Sequence, residues 1–585
     1  MDNADVAALF EEVADLLDIT GANPFRIRAY RSAARTIAAL GEPISQIAGR
    51  GLEALTELPG ISDDLAHKIL EILSTGDLGL RNELARSVPP TLVELMQIPG
   101  VGPKRAKLFY DRLGIRTAAE LEAAAKKGRL HALPRIGEAL EARILEGCRA
   151  RKASTGRYRL AEADAHAAPI LEHLRRDPAV LAADVAGSLR RRKDTVGDLD
   201  ILVSSESGQA VIERFVRFPS VASVLSQGPT RCSVALRSGL RVDLRAVPPE
   251  SYGAALHYFT GSKAHNIAVR TIALDRGLKI NEYGIFRGDR RIGGAAEEDI
   301  FKAVGLSWIP PELRENQGEI DAARKKKLPA LVELKDIRGD LHMHTDSTDG
   351  ESSLAEMVKA CEARGYSYMA VTDHSKALRV AGGLDKAGLR AQMAKIRVLR
   401  RKSPGITILH GVEVDILDDG RLDLDDAVLG ELDLVIAAVH TKLRMPEAQM
   451  TERVIAALRN PRVNILAHPT GRLIPSREPS ALDLMQVMRA ARDLGVMLEI
   501  NGQPERLDLN DVAIRMAANI GVKLVISSDA HRVEELDYVR HGVDQARRGW
   551  CMANLIANTW RLPALRAFLG HRTKATRGAA AHAPL

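Results

Sequence analysis

Cysteine is scarce: the 585 residues hold four, Cys148, Cys232, Cys361 and Cys551. They are scattered, with neither the close pairing of a thiolate metal site nor the density of a disulfide framework. No run of about eighteen apolar residues occurs, so a helical membrane span is excluded. The first residues include Asp2, Asp5, Glu11 and Glu12, an acidic start with no signal-peptide character. A cytoplasmic protein that engages no membrane is therefore expected. Apolar content of 45% and charged content of 27% are ordinary for a globular chain. The length exceeds what one core supports and predicts about three to five domains.

Charge is unevenly spread. The net value is +7, yet residues 101–193 alone hold 21 Lys/Arg against 11 Asp/Glu. That block accounts for the whole excess and leaves the remainder slightly acidic. A concentrated basic segment suits a polyanionic partner whose binding weakens with salt.

The basic block runs into Gly187-Ser188-Leu-Arg190-Arg191-Arg192-Lys193-Asp-Thr-Val-Gly197-Asp198-Leu-Asp200. The apolar run that follows reads as a strand, so Asp198 and Asp200, two apart, share one face. Side-by-side carboxylates repel unless a cation lies between them, and Mg²⁺ takes oxygen ligands. Gly187-Ser188 is expected as a small-residue turn where backbone and hydroxyl donors approach a phosphate. Asp243 lies in the alternating Leu240-Arg241-Val242-Asp243-Leu244-Arg245, a neighbouring strand by its period. A lone Asp-x-Asp is more often a solvated strand end. Three carboxylates beside a phosphate cradle are instead the equipment of two-metal nucleotidyl transfer.

Upstream, helices are expected over Val6 to Leu17, Pro24 to Leu40 and Leu52 to Leu73. Leu58-Pro59-Gly60-Ile61-Ser62 recurs as Ile98-Pro99-Gly100-Val101-Gly102 and, weakly, as Leu133-Pro134-Arg135-Ile136-Gly137. Each precedes an apolar-periodic helix, as in a helix–hairpin–helix, whose bend aims N–H groups at a DNA phosphate without reading bases. Gly60, Ile61, Gly100, Val101, Gly102 and Lys104 are the candidate DNA contacts. Only the second copy keeps both glycines. Lys68, one turn beyond the first hairpin, is either a surface lysine or a Schiff-base amine. Further on, a helix from Ala161 to Leu174 precedes the strands. His257-Tyr258-Phe259-Thr260-Gly261-Ser262 then leads to a helix on which Asn266 and Arg270, four apart, share a face. Leu278 to Gly284 reads as a strand into a turn.

On these motifs, residues 1–318 resemble a family X DNA polymerase of the DNA polymerase beta type. The resemblance implies that Asp198 and Asp200 bind both Mg²⁺ (or Mn²⁺) ions. Asp243 would bind the one that activates the primer 3′-hydroxyl. Gly187, Ser188, Arg191 and Arg157 would hold the triphosphate. Tyr258, with Phe259 and Gly261, would contact the sugar, and Asn266 and Arg270 the minor-groove side of the new pair. Lys68 matches the family's deoxyribose-phosphate lyase lysine, although Asp64 stands where a phosphate-binding lysine is expected. The implied division is an N-terminal helical domain (1–80), fingers (81–154), a nucleotidyltransferase palm (155–247) and a thumb (248–318). A charged linker (319–337) carrying Arg324-Lys325-Lys326-Lys327 follows.

From Arg338 the pattern changes to apolar β-runs alternating with helical stretches: Leu354 to Arg364, Leu389 to Arg401, Glu447 to Leu458 and Ala481 to Leu494. Asp340-Leu-His342-Met-His344 places two histidines on one strand, facing one way. Ligand-type residues close successive β-runs: His374, Glu413, His440, His468, then Asp529 and His531, with Asp349 in a turn. Polar groups at strand C-termini over strand–helix alternation predict a (β/α)7-8-type barrel and its active face. Six of the 16 histidines fall there. One such histidine is usually a satisfied core residue. Six beside three carboxylates argue a multinuclear Zn, Mn or Fe cluster of catalytic rather than structural type.

Residues 338–575 are similar to the PHP (polymerase and histidinol phosphatase) domain. All nine of that family's ligand positions are filled: His342, His344, Asp349, His374, Glu413, His440, His468, Asp529 and His531. The resemblance implies a trinuclear Mn²⁺/Zn²⁺/Fe cluster. The order of the halves resembles bacterial and archaeal family X polymerases, in which the PHP domain supplies 3′→5′ exonuclease and 3′-end or abasic-site cleavage. The expected fold is multidomain, α+β and α/β, with a disordered tail at 576–585. The expected protein is a monomeric, nucleoid-associated repair polymerase acting on gapped or nicked duplex DNA and dNTPs. Two other readings use fewer of these residues: a PHP phosphoesterase tethered to DNA by a weak polymerase half, and a DNA-end-binding scaffold.

Overall fold

The computed structural model describes residues 3–38, 44–89, 91–96, 98, 100–134, 136–154 and 157–570. Pro99, Arg135 and the tail from residue 571 lie outside the described residues. The chain forms two compact units with interleaved boundaries. One comprises residues 1–157, 171–184 and 197–305, the other 158–170, 185–196 and 306–585.

The first unit begins with the antiparallel helices Asn3–Thr20 and Pro24–Ala38. Gly21 takes φ 76° at the break, and Pro24 starts the second helix where no intrahelical N–H is needed. Val6, Phe10, Val13 and Leu17 recur at helical spacing and bury against Tyr30 and Ala34. The expected helix from Leu52 to Leu73 is two: Leu52–Thr56 and Asp63–Thr75. Pro59-Gly60 breaks it, since Gly60 adopts φ 80°. All three hairpins close through one hydrogen bond of the same kind. Ile61 N–H donates to Leu58 O, Val101 to Ile98 and Ile136 to Leu133, at 3.1, 2.9 and 3.2 Å. The donor residue is buried each time, which anchors the bend to the core beneath it.

A five-stranded sheet follows in the order Ala182–Val185, Asp198–Ser204, Arg241–Val247, Arg231–Leu236, Val221–Gln227. Asp198–Ser204 and Arg241–Val247 run parallel with Asp200 opposite Asp243. Val242, Leu244 and Ala246 bury one face, leaving Arg241, Asp243 and Arg245 on the other. Two helices, Tyr252–Thr260 and Lys263–Leu274, lead to the antiparallel strands Lys279–Asn281, Gly284–Arg287 and Arg290–Gly293. The Ser262 hydroxyl caps the second helix by accepting from His265 N–H.

The second unit is built on seven parallel strands in chain order: Gly339–Asp340, Tyr368–Val371, Thr407–Asp415, Leu434–Ala438, Ile465–Leu466, Met497–Asn501 and Leu524–Ser527. Residues beyond the last strand pair back to those beyond the first: Asp529 N–H donates to His342 O at 3.0 Å and His344 N–H to Ala530 O at 2.8 Å. The ring is therefore a nearly closed barrel. The strands are buried on both faces, as parallel strands covered by helices must be. Among the covering helices are Leu354–Ala363, Lys386–Lys402, Glu447–Leu458, Leu484–Leu494, Asp511–Ile520 and Val539–Arg548. One expectation is corrected here. His342 and His344 are not on a strand, because regular pairing ends at Asp340, but they flank the bridge residue Met343 and still face one way. The expected connector contains a short helix, Glu319–Arg324, and a 3-10 turn, Leu334–Asp336.

Candidate active sites

In the first unit, Asp198, Asp200 and Asp243 gather at the start of two neighbouring parallel strands. Asp243 accepts from the Arg241 guanidinium, with Nε to Oδ2 at 2.9 Å and Nη2 to Oδ1 at 3.0 Å, and from the Ser233 hydroxyl. Burial, then the neighbouring Asp243 charge, pushes the Asp198 carboxyl above the usual range, against the pull of Arg241 and Arg157. Crowded carboxylates, with oxygen as the only donor type, are a fit for a hard divalent cation. Arg157 lies beside this group: its Nη1 is 3.7 Å from where a Cβ on Gly197 would stand.

The remaining candidates of this half lie as follows. Tyr258 and Phe259 end the helix Tyr252–Thr260 with their rings edge to face at 5.1 Å, and Arg245 stacks on Phe259 at 4.4 Å. Asn266 and Arg270 sit on Lys263–Leu274, where the Asn266 amide donates to Tyr258 O at 2.7 Å. Gly60 and Gly100 hold φ 80° and 93° in their hairpins; Gly102 caps the helix Pro103–Leu113, on which Lys104 is exposed. Lys68 is ion-paired with Asp64, one turn earlier on its helix. In the second unit, the expected Gly187-Ser188 turn is a turn of helix, Gly187–Arg190, with Gly187 at φ 57°. Arg191, next in the chain, pairs with Glu315 at 3.1 Å.

The nine expected ligands of the barrel converge at its C-terminal end. Ligand atoms of His344, Asp349, His374 and His531 lie within 4.8 Å of one another, as do those of His342, His344 and Asp529, and those of His374, Glu413 and His440. His468 joins through Glu413, at 2.9 Å. Glu413 is buried at the centre, also 2.9 Å from His374 Nδ1 and 3.4 Å from His440 Nε2. Asp349 and His531 are the ligands most open to solvent, so the group they belong to offers a way in. Asp529 and His468 hold φ 53° and 26°, a left-handed backbone that non-glycine residues adopt at a cost and often at functional sites.

The electrostatics are those of a site built for cations. Burial and the cationic neighbours His374 and His531 lower His344 to about 3. Burial also opposes charge on His374, His440 and His531. The adjacent carboxylates override it and push them up to about 10, 9 and 9. Against burial, His374 and His531 hold Asp349 low, His374 and His440 hold Glu413 low, and His342 and His344 hold Asp529 low. His344 Nδ1 is buried without a hydrogen-bond partner, 4.0 Å from the Asp349 carboxylate. A gap of that length between a lone pair and a carboxylate fits an ion between them. The mixed imidazole and carboxylate set suits Zn, Mn or Fe.

A supporting layer was not picked out from the sequence. Glu499, wholly buried, accepts from His342 Nδ1 at 2.6 Å, His468 N–H at 2.7 Å and the Asn501 amide at 3.1 Å. Asp415 accepts from His440 Nδ1 at 2.9 Å. Asp373 accepts from Thr345 N–H and hydroxyl and the Thr348 hydroxyl, which pins the loop leading to Asp349. Arg506 Nε comes to 3.6 Å from Asp529. The available signal was a carboxylate inside an apolar run, as in Met497-Leu-Glu499-Ile-Asn501, since buried charge is rare unless paired.

Family models match in order along the chain: a helix-hairpin-helix domain over residues 1–78, a SAM-like helix-hairpin-helix tandem over 92–150, a DNA polymerase beta thumb over 255–315 and a PHP domain over 340–501. The DNA polymerase/3′-5′ exonuclease PolX of Bacillus subtilis is 37% identical over 574 residues, 97% of this chain and 99% of that protein. The chain belongs to the PolX family. Relatives that match a shorter stretch include a "Probable phosphatase" of Thermoanaerobacter, 30% identical over 38% of this chain and 89% of its own. Another, from Acetivibrio thermocellus, is 34% identical over 33% and 78%. The PolX match spans both halves at once, which a likeness over about a third of the chain does not. Among the described residues no helix is long and apolar enough to cross a membrane.

Proposed function

We propose that this PolX-family chain fills short gaps in duplex DNA by two-metal nucleotidyl transfer and trims 3′ ends, and abasic-site ends, at a separate barrel site. The observation that carries this is the coexistence of Asp198, Asp200 and Asp243 on paired strands with nine metal-type ligands at one barrel mouth. The all-oxygen group is assigned Mg²⁺ (or Mn²⁺), the barrel group three ions drawn from Mn²⁺, Zn²⁺ and Fe. When bound, such ions activate a hydroxyl or water nucleophile and neutralise phosphoryl oxygens.

The chain's own residues would do the following. Asp198 and Asp200 hold both polymerase ions and Asp243, steered by Arg241, holds the one next to the primer 3′-hydroxyl. Gly187, Ser188, Arg191 and Arg157 hold the triphosphate; Tyr258, Phe259 and Gly261 pack against the sugar; Asn266 and Arg270 contact the minor-groove edge. Gly60, Ile61, Gly100, Val101, Gly102 and Lys104 grip the DNA backbone. In the barrel, Glu499 and Asp415 fix the rotations of His342 and His440, and Arg506 is placed to take up a phosphate oxygen. Lys68 acts as a lyase amine only once its pair with Asp64 is broken.

This assignment carries with it the division into helical domain, fingers, palm, thumb, linker and PHP domain, a monomeric state, and a place with the nucleoid. Its test is insertion and end trimming on matched DNAs, one with a short gap, one with a long primed template. Preferential extension across the short gap supports it; equal or better extension of the long template contradicts gap filling.

A further inference from the structure

The segment that carries Ser188 and Arg191 ends in a turn with an unusual resident. After Gly187–Arg190, Arg192 N–H donates to Leu189 O at 2.9 Å and Lys193 N–H to Ser188 O at 3.1 Å. This is a Schellman end, whose left-handed position belongs to glycine in most helices. Here that position is Arg192, at φ 56°. Its guanidinium is held on two sides. Nη1 and Nη2 donate to the two oxygens of Asp164 at 2.7 and 2.6 Å, and Nε and Nη2 donate to Asp544 Oδ2 at 2.9 and 2.7 Å. Asp164 lies on the helix Leu160–Arg175 and Asp544 on the barrel helix Val539–Arg548. About one turn beyond Asp544 on the same helix, Arg548, buried, donates from Nη1 to Arg191 O at 2.7 Å and to Glu315 at 3.3 Å.

None of Arg192, Asp164 or Asp544 faces the barrel's metal ligands or belongs to the Asp198 group. A half-buried three-member ion cluster of this kind is demanding, because losing one partner leaves the others unpaired. What the cluster does hold is the left-handed turn, and that turn sets the direction of the Gly187 and Ser188 N–H groups one turn earlier. Glycine would hold the same turn with no anchor at all. An arginine with two carboxylates makes the turn depend on where the barrel helix stands.

We infer that Arg192 and Asp544 are positioning residues through which the barrel holds the triphosphate-binding segment in its binding shape. The inference rests on the assignment of Gly187, Ser188 and Arg191 to the triphosphate. Three changes in the full-length chain separate the possibilities, read by single-nucleotide insertion into a gapped duplex and by 3′-end hydrolysis of a single strand. Asp544→Asn should raise the KM for dNTP about tenfold, within the range of coupled sites, with kcat and end hydrolysis little changed. Arg192→Gly should keep the KM near the wild-type value, because glycine sustains the turn unaided. Adding Asp544→Asn to Arg192→Gly should then have no further effect, a rescue that general damage to the barrel would not give. An unchanged KM in Asp544→Asn overturns the inference, as does a double variant as impaired as Asp544→Asn alone. Ser188→Ala serves as the reference. If it leaves the KM unmoved, the triphosphate assignment itself fails; if it raises the KM while Asp544→Asn does not, only the barrel's role fails.

Discussion

Replacing Glu499 by Gln removes one charge from the barrel and almost no volume. The carboxylate now accepts three hydrogen bonds, from His342 Nδ1, His468 N–H and Asn501 Nδ2. An amide has one accepting oxygen, so its NH₂ must confront at least one of these donors. Leaving a buried donor unpaired costs about 1–3 kcal/mol. The cheapest relief is for His342 to turn or to change tautomer, which takes Nε2 away from His344 and Asp529. Loss of such an outer partner lowers metal affinity by about 10- to 100-fold, or roughly 1.4–2.7 kcal/mol of binding free energy. Metal content after dialysis against limiting Mn²⁺, measured by atomic emission, reads this directly. The 3′-end hydrolysis rate should fall at low Mn²⁺ and recover at high Mn²⁺, while nucleotide insertion stays as it was. A Glu499→Gln protein with wild-type Mn²⁺ affinity would refute the reasoning, because His342 would then be oriented by something other than Glu499.

Three further outcomes follow from single residues. His410 is buried, and that burial lowers it to about 4. Its neutral form thus adds stability that is present above pH 6.5 and lost as pH falls towards 4, about 3 kcal/mol in all; denaturant unfolding of the metal-stripped protein should show a shallower acid loss in His410→Gln, and an unchanged loss would reject this. Gly100 holds φ 93° with Leu140 Cδ1 3.0 Å from where a Cβ would stand, so Gly100→Val should distort the second hairpin and weaken gapped-DNA binding in fluorescence anisotropy at every salt concentration, whereas equal affinity would remove that hairpin from the DNA interface. Borohydride should trap a covalent adduct with 5′-deoxyribose-phosphate DNA that disappears in Lys68→Ala and increases in Asp64→Ala, where the ion pair is gone; trapping that persists in Lys68→Ala assigns the amine elsewhere.

Much of this molecule was legible in its sequence because its chemistry follows short periods. A period of two set Asp198 and Asp200 on one face, and the same alternation found Asp243 opposite. Ligand residues at the ends of β-runs located the barrel mouth without any long-range contact being known. Where a regular element was interrupted, the period misled: Pro59-Gly60 splits the expected Leu52 to Leu73 helix, and pairing stops at Asp340 before His342. Gly187-Ser188 reads locally as a small-residue turn, and what makes that turn helical, the capping by Arg192 and Lys193, is not marked in it. Glu499 left only the trace of a carboxylate in an apolar run, and the partners of Glu499 and Asp544 were hidden for another reason. Each acts on a partner 157 and 352 residues away, and nothing local marks a carboxylate as paired across such a distance.

The central claim is that one chain holds two independent active sites, and separate disabling of each tests it most directly. On a single end-labelled gapped duplex, Asp198→Ala with Asp200→Ala should abolish nucleotide addition and leave 3′-end hydrolysis. His342→Ala with His344→Ala should abolish 3′-end hydrolysis and leave gap filling with longer, untrimmed products. If either folded double variant loses both activities, or if the histidine variant degrades 3′ ends at the wild-type rate, the assignment of two separate sites is wrong.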